Sequence, residues 1–225
     1  MNTPLIYFVG TSFAADHLRK AAKDKGFEIA RSLRDAHLVF VSEDAPTDKE
    51  GVLDLDHIHA KIMDTLVKMG NPVLVITSQV PPGFTRSLGF TIPLYHQAET
   101  LRVKDAGERA AHPEYICIGC NDSRETLPQV YLTYLRAFNC PIIQCSYEEA
   151  EFSKIAVNMT LASQVENANR LSEAAKKIPH VKWGTIAQIL YHDRRIGQYS
   201  YLKPGNWRES PHLLRDCVTL TTIEN

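Results

Sequence analysis

Over the first 146 positions the apolar residues fall into short unbroken runs separated by helical stretches. LIYFVG (5–10), FEIA (27–30), AHLVFVS (36–42) and PVLVITS (72–78) are followed by TIPLYH (91–96), YICIG (115–119) and PIIQC (141–145). Runs of this length without polar alternation predict strands covered on both faces. Between them the period lengthens to that of a helix. Phe13, Leu18, Ala21 and Ala22 line one side of 12–25, which Gly26 stops; Ile58, Ile62, Leu66 and Met69 line 54–69, which Gly70 stops; a further helix is predicted over 123–138. Strands alternating with helices predict an α/β, Rossmann-like, mainly parallel sheet. After residue 146 the pattern changes. Residues 147–178 form 32 positions without Pro or Gly and predict one long helix, followed by a shorter one near 183–192 and by loops. The chain is read as a sheet domain over 1–146 and a helical domain over 147–225.

Composition narrows the function classes. Lys and Arg number 25 against 26 Asp and Glu, a net charge of −1, so no basic surface points to nucleic acid. No apolar run approaches the roughly 20 residues of a membrane span. The N-terminal MNTPLIYFVG lacks the basic start and small-residue cleavage site of a signal peptide, and a cytoplasmic location is expected. Cys117, Cys120, Cys140 and Cys145 have a spacing similar to a zinc ribbon. Cys117 lies inside one apolar run and Cys145 ends another, however, which favours buried thiols, and no metal is expected.

The strand, glycine, helix opening invites a dinucleotide-binding reading, with NAD or NADP as the cofactor and Gly10, Ser12, Ala15, Arg31 and Ser78 as candidate contacts. The fingerprint G-x-G-x-x-G/A is met at Gly10 and Ala15, but Ser12 stands where the second glycine lets backbone approach a pyrophosphate. Ser12 either donates to a phosphate or stands in its way. No acid ends the second strand; Arg31 there either favours a 2′-phosphate or is a plain surface residue.

Several later stretches, in order, resemble the UDP-glucose/GDP-mannose dehydrogenase family: AHLVFVSEDAPTD, VLVITSQVPPGFTR, AETLRVKDAGERAAHPEYICIG, EFSKIAVNMTLAS and DRRIGQYSYLKPG, over roughly residues 36–217. The resemblance implies an oxidation at C6 of a nucleotide sugar by two hydride transfers to NAD through a cysteine-bound aldehyde. It implies catalytic roles for Glu99, Lys154, Asn158 and Asp216, substrate contacts for Lys203 and Arg102, and a homodimer through helix 147–178. Lys154 and Asn158 are four apart, so they share one helix face.

The departures from the family are chemical. Its Gly-Phe-Gly-Gly-Ser-Cys loop is Trp207-Arg208-Glu209-Ser210-Pro211-His212 here, so His212 takes the nucleophile's place. Gln79 replaces the Thr between Ser78 and Val80, and Arg215 replaces a Lys. Imidazole serves as acid, base or phosphate ligand, not as the thiolate's substitute in aldehyde capture. The chain also stops at Asn225, and the family's third domain is expected to be absent; a partner chain that supplies it is a further alternative. The expectation is a divergent homologue impaired for the two-step alcohol-to-acid oxidation, a pseudoenzyme candidate. The alternative is a single-step NAD(P)-dependent oxidoreductase acting on a nucleotide sugar or related alcohol, with Lys154, Asn158 and His212 as its groups.

Overall fold

A computed structural model describes residues 3–224; Met1, Asn2 and Asn225 lie outside the described residues. In chain order the elements are β1 (Leu5–Val9), α1 (Phe13–Asp24), β2 (Glu28–Ile29), β3 (Leu38–Val41), α2 (Leu55–Lys68) and β4 (Val73–Ile76). They continue with α3 (Phe84–Ser87), β5 (Leu94–Ala98), α4 (Ala106–Ala111), β6 (Ile116–Cys120), α5 (Gln129–Arg136) and β7 (Ile142–Ser146). The last are α6 (Tyr147–Lys176), α7 (Trp183–His192), one 3₁₀ turn (Trp207–Glu209) and α8 (Pro211–Glu224).

Seven strands form one sheet in the order β2-β1-β3-β4-β5-β6-β7, parallel except where β5 meets β6. The unbroken apolar runs follow from coverage of both faces. On one face Ile6, Phe8, Leu38, Phe40, Val73 and Val75 pack with helix residues such as Leu18, Ala21, Tyr131 and Tyr134. On the other, Val39, Val41, Leu74 and Ile76 pack with Ile58 and Ile62 of α2. Successive side chains point to opposite faces, so both parities of a strand must be apolar. The β1/β3 register sets Phe8 opposite Phe40, and their rings stack at 4.9 Å.

Two compact units divide the chain. The first holds the residues up to Asp48 and Leu53–Lys154; the second holds Lys49–Val52 and the residues from Ile155 onward. The division falls within α6, which is one continuous helix.

Four helices differ from the sequence reading. The helix expected over 123–138 begins only at Gln129, because Pro128 starts it and Asp122–Glu125 make a turn. The loops expected after residue 192 contain the fourteen-residue α8, whose first residue is Pro211. The short α3 and α4, before and after β5, lie in stretches to which the sequence reading assigned no element. Among the described residues no helix is long and apolar enough to cross a membrane.

Candidate functional site

The carboxyl ends of β1, β3 and β4 carry the first group of predicted residues. Gly10 turns the chain out of β1 with φ +109°, and a Cβ there would stand 2.6 Å from the Ser42 carbonyl oxygen. Only glycine fits that approach. Ser12 caps α1: its hydroxyl accepts from the Ala15 N–H at 3.1 Å and donates to the Ser42 carbonyl at 2.5 Å. Ala15 is fully buried against the sheet. The chain of hydroxyls runs on sideways. Ser42 and Thr77 hydroxyls touch, and the Ser78 hydroxyl accepts from the Glu43 N–H at 3.0 Å. Ser12, Ser42, Thr77 and Ser78 are all buried and stitch three strand ends together. Arg31 lies beyond β2 and is exposed.

The same edge holds a charged group that the sequence reading did not single out. The Glu43 carboxylate lies beside Gly10, with Oε2 3.2 Å from the position of that Cβ. Lys61 of α2 approaches it to 3.6 Å and His57, one turn earlier, to 4.0 Å. A dinucleotide's pyrophosphate binds such a turn through backbone N–H groups and the helix N-terminus. Here the Ser12 hydroxyl is directed inward, and a carboxylate flanks the glycine. The turn in this arrangement does not fit that group.

Just beyond β5, Glu99 accepts from the Leu101 N–H and lies 3.5 Å from the Lys154 ammonium. Both side chains are largely buried. A lysine held by one carboxylate in a shielded place is a candidate proton-transfer pair. Arg102, three residues on, is exposed and binds Asp105. Glu151, one turn before Lys154, is 1% exposed and accepts the Gly83 and Thr85 N–H groups at 2.6 and 2.8 Å. It thereby fixes the Pro-Pro-Gly turn after β4. Burial raises its pKa, against the opposing pull of those donors.

The second unit holds the remaining candidates. Asn158 donates to Asp216 at 2.6 Å, and Asp216 also accepts from Arg215 Nε at 3.1 Å. Asp216 and Arg215 are both buried, so the carboxylate is paired as well as hydrogen-bonded. Lys203 and His212 are exposed, the latter in the first turn of α8. The loop between them is tied to α6. Gln164 accepts from the Tyr201 N–H at 2.8 Å, Asn169 exchanges two 2.8 Å bonds with the Gly205 backbone, and Glu166 accepts from the Trp207 indole at 2.7 Å.

The thiols lie elsewhere. Cys117 and Cys120 are buried in β6, and the Cys117 and Cys145 sulfurs are 3.6 Å apart across β6 and β7. Burial pushes Cys120 and Cys145 up to about 12, which leaves them poor nucleophiles. Cys217 lies in α8, the residue after Asp216.

No protein-family model matches the chain. It is 26% identical over 204 residues to UDP-glucose 6-dehydrogenase of Pseudomonas aeruginosa, covering 84% of this chain and 45% of that protein. It is 29% identical over 189 residues to the uncharacterized protein MJ1054 of Methanocaldococcus jannaschii, covering 78% of this chain and 21% of that one. The chain is related to the nucleotide-sugar dehydrogenases. It spans less than half the length of these curated relatives. Among solved structures, the UDP-glucose dehydrogenase of Pyrobaculum islandicum superposes with a TM-score of 0.76 at 19% identity, over 99% of this chain and 65% of that one. A 3-hydroxyisobutyrate dehydrogenase of Mycobacterium tuberculosis gives 0.67 at 14% identity, over 99% and 87%. At those identities the superpositions establish the fold.

In this relative of the nucleotide-sugar dehydrogenases, the structure pairs Glu99 with Lys154 and Asn158 with Asp216. Arg31, Arg102, Lys203 and His212 sit outside those pairs at exposed positions. A cleft of about 570 Å³, bounded by Arg86, Phe90, Glu125 and Tyr147, contains none of the predicted residues. Sequence reasoning missed Glu43 and Glu151, and singled out Arg215 only as a departure from the family, not as the partner of Asp216. Glu151 had a signal: with Lys154 and Asn158 it places polar groups at i, i+3 and i+7 of a helix whose Ala150 and Ile155 are core residues. Glu43 had none, because its partners come from α2 and from the turn after β1.

Proposed function

We propose that this chain is a nucleotide-sugar dehydrogenase homologue that does not perform the two-step oxidation of alcohol to acid, and that acts as a non-catalytic relative. The observation that carries this reading is the loop from Tyr201 to His212. By resemblance it corresponds to the loop that carries the cysteine nucleophile, yet it contains no cysteine. Gln164, Glu166 and Asn169 hold it through Tyr201, Gly205 and Trp207. Trp207 and Arg208, the first two residues in the Gly-rich loop's place, therefore both have a structural partner in Glu166. The turn after β1, with Glu43 beside Gly10, supports the same reading.

A single hydride step is the second reading, and the 3.5 Å Glu99–Lys154 pair favours it. An alcohol oxidation of that kind uses a base and oxyanion support without a covalent adduct. On this reading Lys154 supplies one of those roles, and a nucleotide sugar or related alcohol is the substrate. By resemblance the chain assembles as a homodimer through α6.

The test follows reduced-cofactor formation at saturating NAD or NADP with UDP-glucose, GDP-mannose and UDP-N-acetylmannosamine. No absorbance change with any pair agrees with the first reading. Turnover of one hydride equivalent that Lys154→Ala abolishes establishes the second. Two equivalents per sugar, ending at the acid, refute both.

A further inference from the structure

Glu43 follows β3 directly, and its position is set by the strand it leaves. Its backbone N–H donates to Ser78, which fixes the residue at the β3/β4 edge. Its side chain then lies beside Gly10 of the β1–α1 turn, Oε2 3.2 Å from where a Cβ would stand. The Glu43 side chain is 17% exposed, more shielded than either Lys61 or His57.

We propose that Glu43 decides whether this turn admits a dinucleotide, and that in this chain it keeps the pyrophosphate out. The inference deepens the non-catalytic reading above and rests on it in treating the first unit as a dehydrogenase-type sheet. Two effects act together. The carboxylate puts a negative charge beside the place where a phosphate meets the backbone, in a partly desolvated setting that strengthens like-charge repulsion. The same carboxylate also draws Lys61 onto itself at 3.6 Å, with the His57 imidazole 4.0 Å away, so the Lys61 ammonium faces Glu43 instead of the turn. Removing the charge removes the repulsion and releases Lys61 toward an incoming phosphate. Ser12 does not compensate, since its hydroxyl already bridges the Ala15 N–H and the Ser42 carbonyl.

The experiment measures binding of NADH, NADPH and ADP by calorimetry to the whole chain as wild type, Glu43→Gln, Glu43→Ala and the double variant Glu43→Gln/Lys61→Ala. Circular dichroism melting of each variant checks that it folds, and Glu43→Ala serves if Glu43→Gln does not. The expected result is a wild-type Kd no tighter than millimolar. The neutral variants bind at least about tenfold tighter, which corresponds to about 1.4 kcal/mol. The double variant loses a large part of that gain. A wild type that binds NADH at micromolar Kd overturns the proposal, as do folded neutral variants with unchanged affinity. A turnover assay run alongside separates the two readings. Turnover by the wild type refutes the non-catalytic reading, whereas unchanged binding in the neutral variants without turnover refutes only the role given to Glu43.

Discussion

His96 is buried in β5, and among the described residues its Nδ1 has no hydrogen-bond partner. Burial lowers its pKa from 6.5 to about 4, so the folded protein carries it neutral. Between those values the unfolded chain binds a proton that the folded chain does not. Stability is therefore fully present above pH 6.5 and is lost as pH falls toward 4. Moving an imidazole over that range, at about 1.4 kcal/mol per pH unit, places stability of order 3 kcal/mol in the window. Glu151, whose pKa is raised, acts in the opposite sense, so the informative quantity is the difference from a variant lacking His96. Urea unfolding across pH 4–7 is expected to show a flatter profile for His96→Leu than for the wild type. Parallel profiles would remove His96 from the account. His96 itself sits in a stretch read correctly as a strand, yet its burial was not legible. Nothing local says that the neighbour opposite it is Gly119 of an antiparallel β6. The same holds at Gly10. The glycine could be read as a turn residue, but the carbonyl that requires it belongs to Ser42, thirty-two positions away.

At the scale of elements, the strands were legible because their apolar runs have no parity, a direct consequence of helices on both faces. α7 was legible over its whole length, 183–192. α8 was not, because its Thr219, Thr221 and Thr222 and its mixed faces give a weak helical period, and Pro211 reads as a break although it begins the helix. The loop before it shows what holds an irregular segment in place. The Asn169 side-chain amide pairs with Gly205 much as a neighbouring strand would, donating to its carbonyl and accepting from its N–H. Replacing Asn169 with Ala removes both bonds. Because Gly205 is exposed and water can take over its groups, the expected cost is small, about 1 kcal/mol. The sensitive readout is local. Amide hydrogen exchange over residues 201–209 is expected to quicken about tenfold while that of β3 and β4 is unchanged. If the loop exchanges at the wild-type rate in Asn169→Ala, the clamp is not what orders it.

At the scale of the whole molecule, relatedness and assembly are separate questions. The order of motifs made the dehydrogenase relationship legible where the glycine turn alone did not, since each motif occupies the expected place along one chain. The proposed homodimer would rest on α6. This helix keeps Ala150, Ile155, Ala162 and Ala168 buried within the chain, while Phe152, Val157 and Leu171 remain exposed. Val157 and Leu171 are fourteen positions apart, which at 3.6 residues per turn returns them to nearly the same side. In the proposed dimer these two exposed apolar side chains would be covered by a second copy, at about 25 cal/mol for each Å² of apolar surface covered. Light scattering at micromolar concentration is expected to give the mass of two chains of 25.3 kDa. Val157→Glu with Leu171→Glu sets a charge at each of those positions, and the expected outcome is a monomer of unchanged circular dichroism. A wild type that scatters as a single chain rejects the dimer. A double variant that stays dimeric places the contact on another surface.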